Sequence, residues 1–289
     1  MSAPLSGRGA VVVGGGSGVG RAVAELLAAN GAGVVVNSRT EAAVAEVIAT
    51  ITAAGGTAIG VAGSAAEEAV AARLVATCVA EFGAVDVLVN CAGIAEPRGS
   101  SILTVTAAEW RELLDSHLTT VFTTCRSVAP LMAERGSGAI VNTGSFAYLG
   151  DFGGTGYPAG KGAVASLTLA LAAELREHGV RVNAVCPGAR TRLSTGPDYE
   201  AHIRELHRRG LLDETTMHGA LDAPPPEYAA ALYLYLASDA SRSVSGEIFI
   251  AAGGFVGRFG RPVAEPLGYR DHAHEKPWTI EELDRMIGR

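Results

Sequence analysis

Residues 10–20 read AVVVGGGSGVG: a run of apolar, strand-forming residues leads into a glycine-rich turn, and a helical stretch follows at 21–29. Glycine suits this turn because the backbone bends tightly, a bound pyrophosphate must approach closely, and the helix must pack against the strand. The amino end of the helix also offers free N–H groups and a partial positive charge to a phosphate. The stretch therefore favours a dinucleotide-binding turn over a purely structural one, with contacts from Gly14, Ser17, Gly18, Val19 and Gly20.

The alternation that begins here, of short β-branched runs with Ala-rich helical stretches, continues to about residue 250. Strands are predicted at 10–13, 33–37, 57–61, 85–90, 139–143, 181–185 and 247–251. Helices are predicted near 19–29, 41–54, 66–82, 107–135, 157–177 and 226–237. Because the strands are apolar on both faces, helices must cover the sheet on each side. The sequence predicts an α/β fold with a doubly wound seven-stranded parallel sheet (a Rossmann fold), forming a single domain over residues 1–254.

Two regions interrupt this alternation. Residues 189–225 are polar and contain a helical stretch around 199–209 ahead of Pro224-Pro225-Pro226. A segment of that length between a strand and a helix is typical of a substrate loop or lid. Residues 255–289 form a C-terminal extension, in which Thr279-Ile280-Glu281-Glu282 has the pattern of a capping box and predicts a short terminal helix.

The composition argues against several other classes of protein. The 289 residues carry 23 Lys+Arg against 30 Asp+Glu, a net charge of −7, and no basic stretch, so no nucleic-acid partner is expected. No apolar run approaches the ~20 residues that span a bilayer, and the first residues lack a secretory pattern. The four cysteines are dispersed without a CxxC pair, which favours neither a disulfide framework nor a metal site. We expect a cytoplasmic protein with no membrane partner and no metal.

The end of the second strand bears on the choice of nucleotide. There a dinucleotide-binding fold reads the adenine ribose: an acidic residue accepts from a 2′-hydroxyl, whereas an arginine pairs with a 2′-phosphate. The strand ends in Asn37-Ser38-Arg39, with no acidic residue before Glu41. Ser38 and Arg39 therefore favour NADP(H), and NAD(H) is the alternative in which Arg39 is a solvated strand-end residue. Ser17 is neutral where a second basic group would strengthen the preference.

A further group of residues points to catalysis. Tyr157 and Lys161 are four residues apart at the start of a helix, which places a phenol and an ammonium on one face. The charge of Lys161 favours tyrosinate and is expected to lower the pKa of Tyr157 from about 10 toward a usable range. Ser145 follows the fifth strand, at the carboxyl edge where open α/β sheets bind ligands. The alternative is an exposed helix turn without a catalytic role.

Together these motifs make residues 5–254 resemble the short-chain dehydrogenase/reductase family, in its single-domain form. The resemblance rests on the glycine turn, Asn90-Cys91-Ala92-Gly93 after the fourth strand, Ser145, the Tyr157/Lys161 pair, and Pro187-Gly188 after the sixth strand. It implies hydride transfer between a nicotinamide and a ketone/secondary alcohol, with Tyr157 as general acid–base, Ser145 polarising the carbonyl oxygen and Lys161 holding the ribose. It also implies cofactor contacts from Asn90, Ala92, Gly93, Tyr157, Lys161, Pro187, Gly188 and Thr191.

The sequence departs from the family pattern at several positions. Val13 stands where the glycine motif usually begins with Thr, and alanines at 251–252 replace an acidic residue. Ser64 replaces an Asp that commonly contacts adenine, and it is assigned to the cofactor site. His117 takes the place of an Asn that supports a water relay to the lysine. It is assigned to the catalytic set, either preserving that relay or transferring a proton itself, with a hydrogen-bonded helix histidine as the alternative.

The sequence constrains the substrate less than the cofactor. A sizeable, partly apolar substrate is predicted from Phe146, Tyr148, Phe152, Leu193, Tyr199, Leu206, Leu211, Leu212 and Met217. We expect an NADPH-dependent ketoreductase acting on a small-molecule carbonyl or alcohol. The alternatives are an NAD-dependent secondary-alcohol dehydrogenase and a non-catalytic nucleotide-binding regulator. The long Ala/Leu-rich helices at 107–135 and 157–177 resemble those through which family members associate, so a homodimer or homotetramer is expected.

Overall fold

The β-branched runs form one central sheet, in a computed structural model that describes residues 3–288. Its strands are β1 (Gly9–Val13), β2 (Gly33–Ser38), β3 (Thr57–Ala62), β4 (Val87–Asn90), β5 (Gly138–Thr143), β6 (Val180–Gly188), β7 (Ile248–Ala252) and β8 (Phe255–Arg258). They lie in the order β3-β2-β1-β4-β5-β6-β7-β8, and β1 to β7 are parallel. The predicted α/β class and doubly wound topology are therefore confirmed.

The sheet has eight strands rather than the predicted seven. The additional strand β8 pairs antiparallel with β7 in the register Ala252↔Phe255. A two-residue turn joins them, and Gly253 adopts a φ of +58° that favours glycine. A four-residue exposed strand carries too little hydrophobic alternation to be recognised in the sequence. The sheet thus extends four residues past the predicted domain end at residue 254.

Ten α-helices were found within residues 3–288. They are α1 (Gly18–Ala29), α2 (Glu41–Ala53), α3 (Glu68–Phe82), α4 (Ala107–Leu114), α5 (Thr120–Arg135), α6 (Gly156–Glu174), α7 (Pro197–Arg208), α8 (Glu214–Leu221), α9 (Pro226–Ala237) and α10 (Ile280–Ile287). The helix predicted over 107–135 is divided, because a π-helical turn at Asp115–Thr119 separates α4 from α5. None of these helices is long and apolar enough to cross a membrane.

Two apolar layers cover the two faces of the sheet. Consecutive residues of β1 point to opposite faces, as the strand period requires. Val12 packs in one cluster with Val23 of α1 and Tyr233 of α9. Val11 packs in the other cluster with residues of α3, α5 and α6. The strand order reverses between β1 and β4, which opens a crevice at their carboxyl ends.

The segment 189–225 folds into α7 and α8, which share a small apolar core. Ile203, Leu206 and Leu212 are buried in it, and Phe152 packs against them. This segment belongs to the compact unit that ends at Arg258.

A second compact unit begins at Phe259 and contains α10. There the guanidinium of Arg270 donates to Glu282 at 2.8 Å and stacks on Trp278 at 3.7 Å. Thr279 and Glu282 form the capping box expected from the sequence, and α10 follows directly.

Candidate active site

The predicted site residues converge on one edge of the sheet. Because β1 to β7 are parallel, the segments that follow them emerge at the same edge. The glycine turn follows β1, Asn90 ends β4, Ser145 follows β5, and Pro187-Gly188 ends β6. The turn after β1 packs against the segment after β4, since a Cβ on Gly14 would lie 2.5 Å from the amide nitrogen of Ala92. Thr191 borders the same turn, 3.2 Å from where a Cβ of Gly18 would lie.

The glycine turn has the conformation that a pyrophosphate site needs. Gly14 and Gly18 have φ values of +75° and +55°, which side chains disfavour. A Cβ on Gly20 would lie 2.2 Å from the carbonyl oxygen of Gly14, so only glycine lets α1 approach β1 this closely. Ser17 is the N-cap residue of α1, but its side chain makes no capping hydrogen bond. The first amides of α1, including that of Val19, are thus left to an external acceptor, which fits a dinucleotide phosphate.

Two arginines flank this turn. Ser38 lies against it, because a Cβ on Gly16 would be 2.6 Å from the Ser38 Oγ. Arg39 is exposed and forms no ion pair with any described residue. Arg192, from the segment after β6, donates a 2.8 Å hydrogen bond to the Ser17 Oγ. The sequence did not reveal Arg192, because 175 residues separate it from Ser17. Arg192 is thus a second basic group beside Arg39, next to the neutral Ser17.

The segment after β4 is supported from within the protein. The Asn90 amide donates to Asn142 at 3.0 Å and accepts from Thr124 at 2.8 Å. Its side chain therefore ties β4 to β5 and α5. A Cβ on Gly93 would lie 2.7 Å from the His117 ring, so glycine is required for that contact. Ser64 lies in the turn between β3 and α3.

The catalytic candidates meet next to this segment. Tyr157 and Lys161 lie in the first two turns of α6, and Lys161 Nζ is 5.8 Å from the centre of the Tyr157 ring. The ammonium donates to the Thr143 carbonyl oxygen at 2.9 Å, at the end of β5. Ser145 begins the short 3₁₀ helix Phe146–Leu149 and accepts from the Ala147 amide at 3.2 Å. The phenol, hydroxyl and ammonium groups thus share one side of the crevice.

Burial dominates the electrostatics of this group. It lowers the pKa of Lys161 to about 8, against the partial compensation of nearby cysteine sulfurs. It raises the pKa of Tyr157, and a hydrogen bond with Ser145 opposes the rise only in part. The expectation that Lys161 lowers the pKa of Tyr157 is therefore wrong for this structure. Removing the phenolate from water costs more than the hydrogen bond with Ser145 returns.

His117 lies in the π-helical turn and is fully buried against Tyr157. The two rings are 4.8 Å apart and nearly perpendicular. Nε2 is 3.0 Å from the Ile94 carbonyl oxygen, so it carries the proton and donates, while Nδ1 has no hydrogen-bond partner among the described residues. Burial, followed by the charge of Lys161, lowers the pKa of His117 to about 3. The ring is therefore neutral at ordinary pH, which favours a positioning role over proton transfer.

Several supporting residues had no recognisable sequence signal. Tyr233 of α9 hydrogen-bonds through its hydroxyl to Thr143 Oγ1 at 2.8 Å, at the residue whose carbonyl holds Lys161. Glu96 accepts hydrogen bonds from the amide groups at the start of α6. Both contacts join residues more than 55 positions apart, which local patterns do not encode.

The segment 189–225 contributes to the site differently from the expectation. Leu206 and Leu212 are 1% and 4% exposed within its own core, so they are unavailable to a substrate. Tyr199 instead faces the catalytic group: burial raises its pKa, and the charge of Tyr157 raises it further. Phe146 lies near the end of β6, 3.8 Å from where a Cβ of Gly188 would be.

Within residues 3–288 no group of three or more His, Cys, Asp or Glu residues could hold a metal ion.

Known proteins share both the sequence pattern and the fold. The family model described as short chain dehydrogenase matches residues 8–195. The chain is 38% identical over 248 residues to the short-chain reductase protein NovJ of Streptomyces niveus, covering 85% of this chain and 92% of that protein. It is 37% identical over 257 residues to cis-4-hydroxycyclohexanecarboxylate dehydrogenase of Sinomonas cyclohexanicum, covering 88% and 99%. The crystal structure of a short chain dehydrogenase from Mycobacterium avium matches with a TM-score of 0.81 at 33% identity, covering 99% and 94%.

Proposed function

The chain belongs to the short-chain dehydrogenase/reductase family, whose enzymes act on alcohols and ketones, and on that premise we propose that it is an NADP(H)-dependent ketoreductase. One observation carries the proposal: Ser145, Tyr157 and Lys161 adjoin a glycine turn that two arginines flank. The bound nicotinamide supplies or accepts the hydride. The protein's own residues bind and orient the cofactor and protonate the substrate oxygen.

Tyr157 is the proton donor in the direction of reduction. Burial raises the pKa of Tyr157, so the phenol stays protonated at neutral pH and can protonate the developing alkoxide. Ser145 donates a hydrogen bond to the same oxygen and so stabilises its growing negative charge. In the direction of oxidation the tyrosinate accepts the proton. The raised pKa favours reduction near neutral pH.

Lys161 orients the cofactor. One of its ammonium protons goes to the Thr143 carbonyl, and the others remain for the nicotinamide ribose hydroxyls. The turn residues Gly14, Ser17, Gly18, Val19 and Gly20 bind the pyrophosphate. The segments containing Asn90, Ala92, Gly93, Pro187, Gly188 and Thr191 would hold the nicotinamide half, and Ser64 would contact the adenine.

Two exposed cations support NADP(H) over NAD(H). Arg39 follows β2, where the adenine ribose is read, and it is exposed without an ion pair to any carboxylate within residues 3–288. Arg192 donates a hydrogen bond to Ser17 in the glycine turn. A charge-assisted hydrogen bond to a 2′-phosphate is worth about 1.5–3 kcal/mol, or roughly 10- to 150-fold in affinity. NAD-dependent oxidation of a secondary alcohol is the second candidate.

The proposed substrate is a sizeable, partly apolar ketone. Tyr199 and Phe146 adjoin the catalytic group, and Leu193, in the segment after β6, is 46% exposed. Tyr148 follows Ser145 within the 3₁₀ turn. Such a surface has apolar faces for a carbon skeleton and phenol groups for one or two polar substituents. The cyclic alcohol in the name of the Sinomonas relative is of this type.

The cofactor assignment is tested by titrating NADPH and NADH while following nicotinamide fluorescence. We expect NADPH to bind roughly 10- to 150-fold more tightly than NADH, and R39S to remove most of that difference. R126S is the matched control, since Arg126 is an exposed arginine on α5. Tighter binding of NADH would overturn the NADP(H) assignment and select the NAD-dependent dehydrogenase.

Catalysis is tested with Tyr157→Phe. The variant should keep NADPH affinity and lose turnover of a panel of cyclic ketones by about 10²–10⁴-fold. Unchanged turnover would refute the assigned role. Failure of both nucleotides to bind the folded wild type would instead overturn the proposed nicotinamide-dependent activity. We further expect a homodimer or homotetramer, which light scattering measures.

A further inference from the structure

The helix that carries Tyr157 and Lys161 has no cap of its own. Thr155 is the N-cap residue of α6, but its side chain forms no capping hydrogen bond. The amide groups are satisfied by a distant carboxylate instead. Glu96 accepts from the amides of Thr155 at 3.1 Å, Gly156 at 3.2 Å and Tyr157 at 2.5 Å. One side chain therefore serves three donors, including the amide of the proposed acid–base residue itself.

Glu96 is held firmly in this position. The Ser100 hydroxyl donates to its carboxylate at 2.7 Å. Gly154 makes room for it, because a Cβ there would lie 2.9 Å from the Glu96 carboxyl carbon, and its φ of +79° favours glycine. The same segment provides the Ile94 carbonyl that accepts from His117. The segment after β4 thus links the cofactor side of the crevice to the start of α6.

We propose that Glu96 is a positioning residue for catalysis, one that fixes Tyr157 by capping α6 and whose negative charge delays ionisation of the Tyr157 phenol. The proposal rests on the function proposed above for Tyr157. Capping alone would make Glu96 a structural residue. Its charge makes it part of the acid–base chemistry, since it offsets the positive end of the α6 dipole.

The charges around Tyr157 support this role. Burial raises the pKa of Glu96, but hydrogen bonds from Tyr157, Ser100, Thr155 and Gly156 outweigh it and lower that pKa, so the carboxylate is ionised at neutral pH. The other groups that face Tyr157 are His117, Lys161, Cys186, Tyr199 and the hydroxyl of Ser145. His117, Cys186 and Tyr199 are neutral at pH 7, because burial keeps the uncharged form of each. Glu96 differs from these neutral groups, because it is an ionised carboxylate held on the backbone amide of Tyr157.

The test uses the pH dependence of kcat/KM for alcohol oxidation, which requires tyrosinate. In Glu96→Gln, loss of the negative charge at the Tyr157 backbone amide should move the acid limb about half a unit to one unit lower in pH. Glu96→Asp keeps the charge on a shorter side chain, so its limb should stay near that of the wild type while kcat falls. Glu109→Gln is the matched control, because Glu109 likewise caps a helix, α4, by accepting from the Thr106 amide at 2.8 Å.

A role confined to helix stability predicts a different result. The activity of Glu96→Gln would then fall without movement of the acid limb, or the limb would move as far in Glu109→Gln. Either result would overturn the proposal, as would a shift to higher pH.

Amide hydrogen exchange separates this proposal from the proposed function, because it needs no substrate. In Glu96→Gln the amides of residues 155–157 should exchange at least about tenfold faster than in the wild type, while exchange of the amides in the sheet is unchanged. Unaltered exchange would overturn the positioning role whether or not the enzyme turns over. If the wild type has no turnover but these amides exchange faster in Glu96→Gln, the proposed function is contradicted and the capping role of Glu96 still holds.

Discussion

Lys161 is the buried cation on which the site depends, and its ionisation can be predicted from its surroundings. Its side chain is 4% exposed, and its ammonium is held by the Thr143 carbonyl. Burial lowers the pKa of Lys161 from the ordinary 10.5 to about 8. That difference corresponds to about 3 kcal/mol, the cost of keeping the charged form inside the folded protein.

The sign of the effect on stability follows from the two pKa values. Below pH 8 both the folded and the unfolded chain hold the proton, and the folded state bears the whole cost. Between about pH 8 and 10.5 the folded chain releases the proton first, so its stability rises with pH. The free energy of unfolding of the wild type should therefore gain about 3 kcal/mol relative to Lys161→Met across this interval. The difference between the two proteins cancels the titration of other groups.

The ionisation itself can be observed by NMR. The sequence contains two lysines, Lys161 and the exposed Lys276, so labelling with [¹³Cε]lysine gives two signals. Lys276→Arg leaves only the Lys161 signal, which should titrate with a midpoint near 8. Urea unfolding of the wild type and Lys161→Met between pH 7 and 10.5 then measures the energy. A midpoint at or above 10.5, or parallel stability curves, would refute the argument from burial.

Two further predictions concern packing and His117. Gly20→Ala should lower the free energy of unfolding by about 1–3 kcal/mol and abolish nucleotide binding, because its Cβ would lie 2.2 Å from the Gly14 carbonyl oxygen. Gly162→Ala is the control, because this helical position has nothing within 4 Å of a Cβ. It should be neutral or stabilise the protein by up to about 1 kcal/mol. Nucleotide titration and urea unfolding measure both, and normal binding by Gly20→Ala would contradict the packing argument. His117→Asn should keep activity within about tenfold, with no limb near pH 6.5 in the wild-type profile because burial keeps the ring neutral. Complete loss of turnover in a folded His117→Asn protein would show that the ring is essential.

The same residues show that groups at the site are buried at a cost to stability. Lys161 is buried at an energetic cost, and His117 leaves Nδ1 without a partner in the protein interior. Both lie against Tyr157. Such unfavourable burial is expected where a protein maintains chemistry rather than packing.

The sequence by itself determined where the strands of the parallel sheet lie along the chain and where the glycine turn lies. Both depend on local properties: short β-branched runs that alternate with Ala-rich helical stretches, and the backbone freedom that Gly14 and Gly18 supply at the turn. The pairing of Tyr157 with Lys161 was also readable, because one helical turn separates them. These features need no knowledge of distant parts of the chain.

The tertiary structure decided the features that join distant residues. Glu96 caps α6 from 61 positions before Tyr157, and Arg192 reaches Ser17 across 175. The π-helical turn at Asp115–Thr119 turns His117 onto Tyr157, and no local pattern marks it. The direction of the Tyr157 pKa shift was misjudged from sequence, because desolvation is set by every element that packs around a group. Local sequence determines the position of a side chain on its helix or strand. Its charge state depends on how much water the complete fold removes from around it.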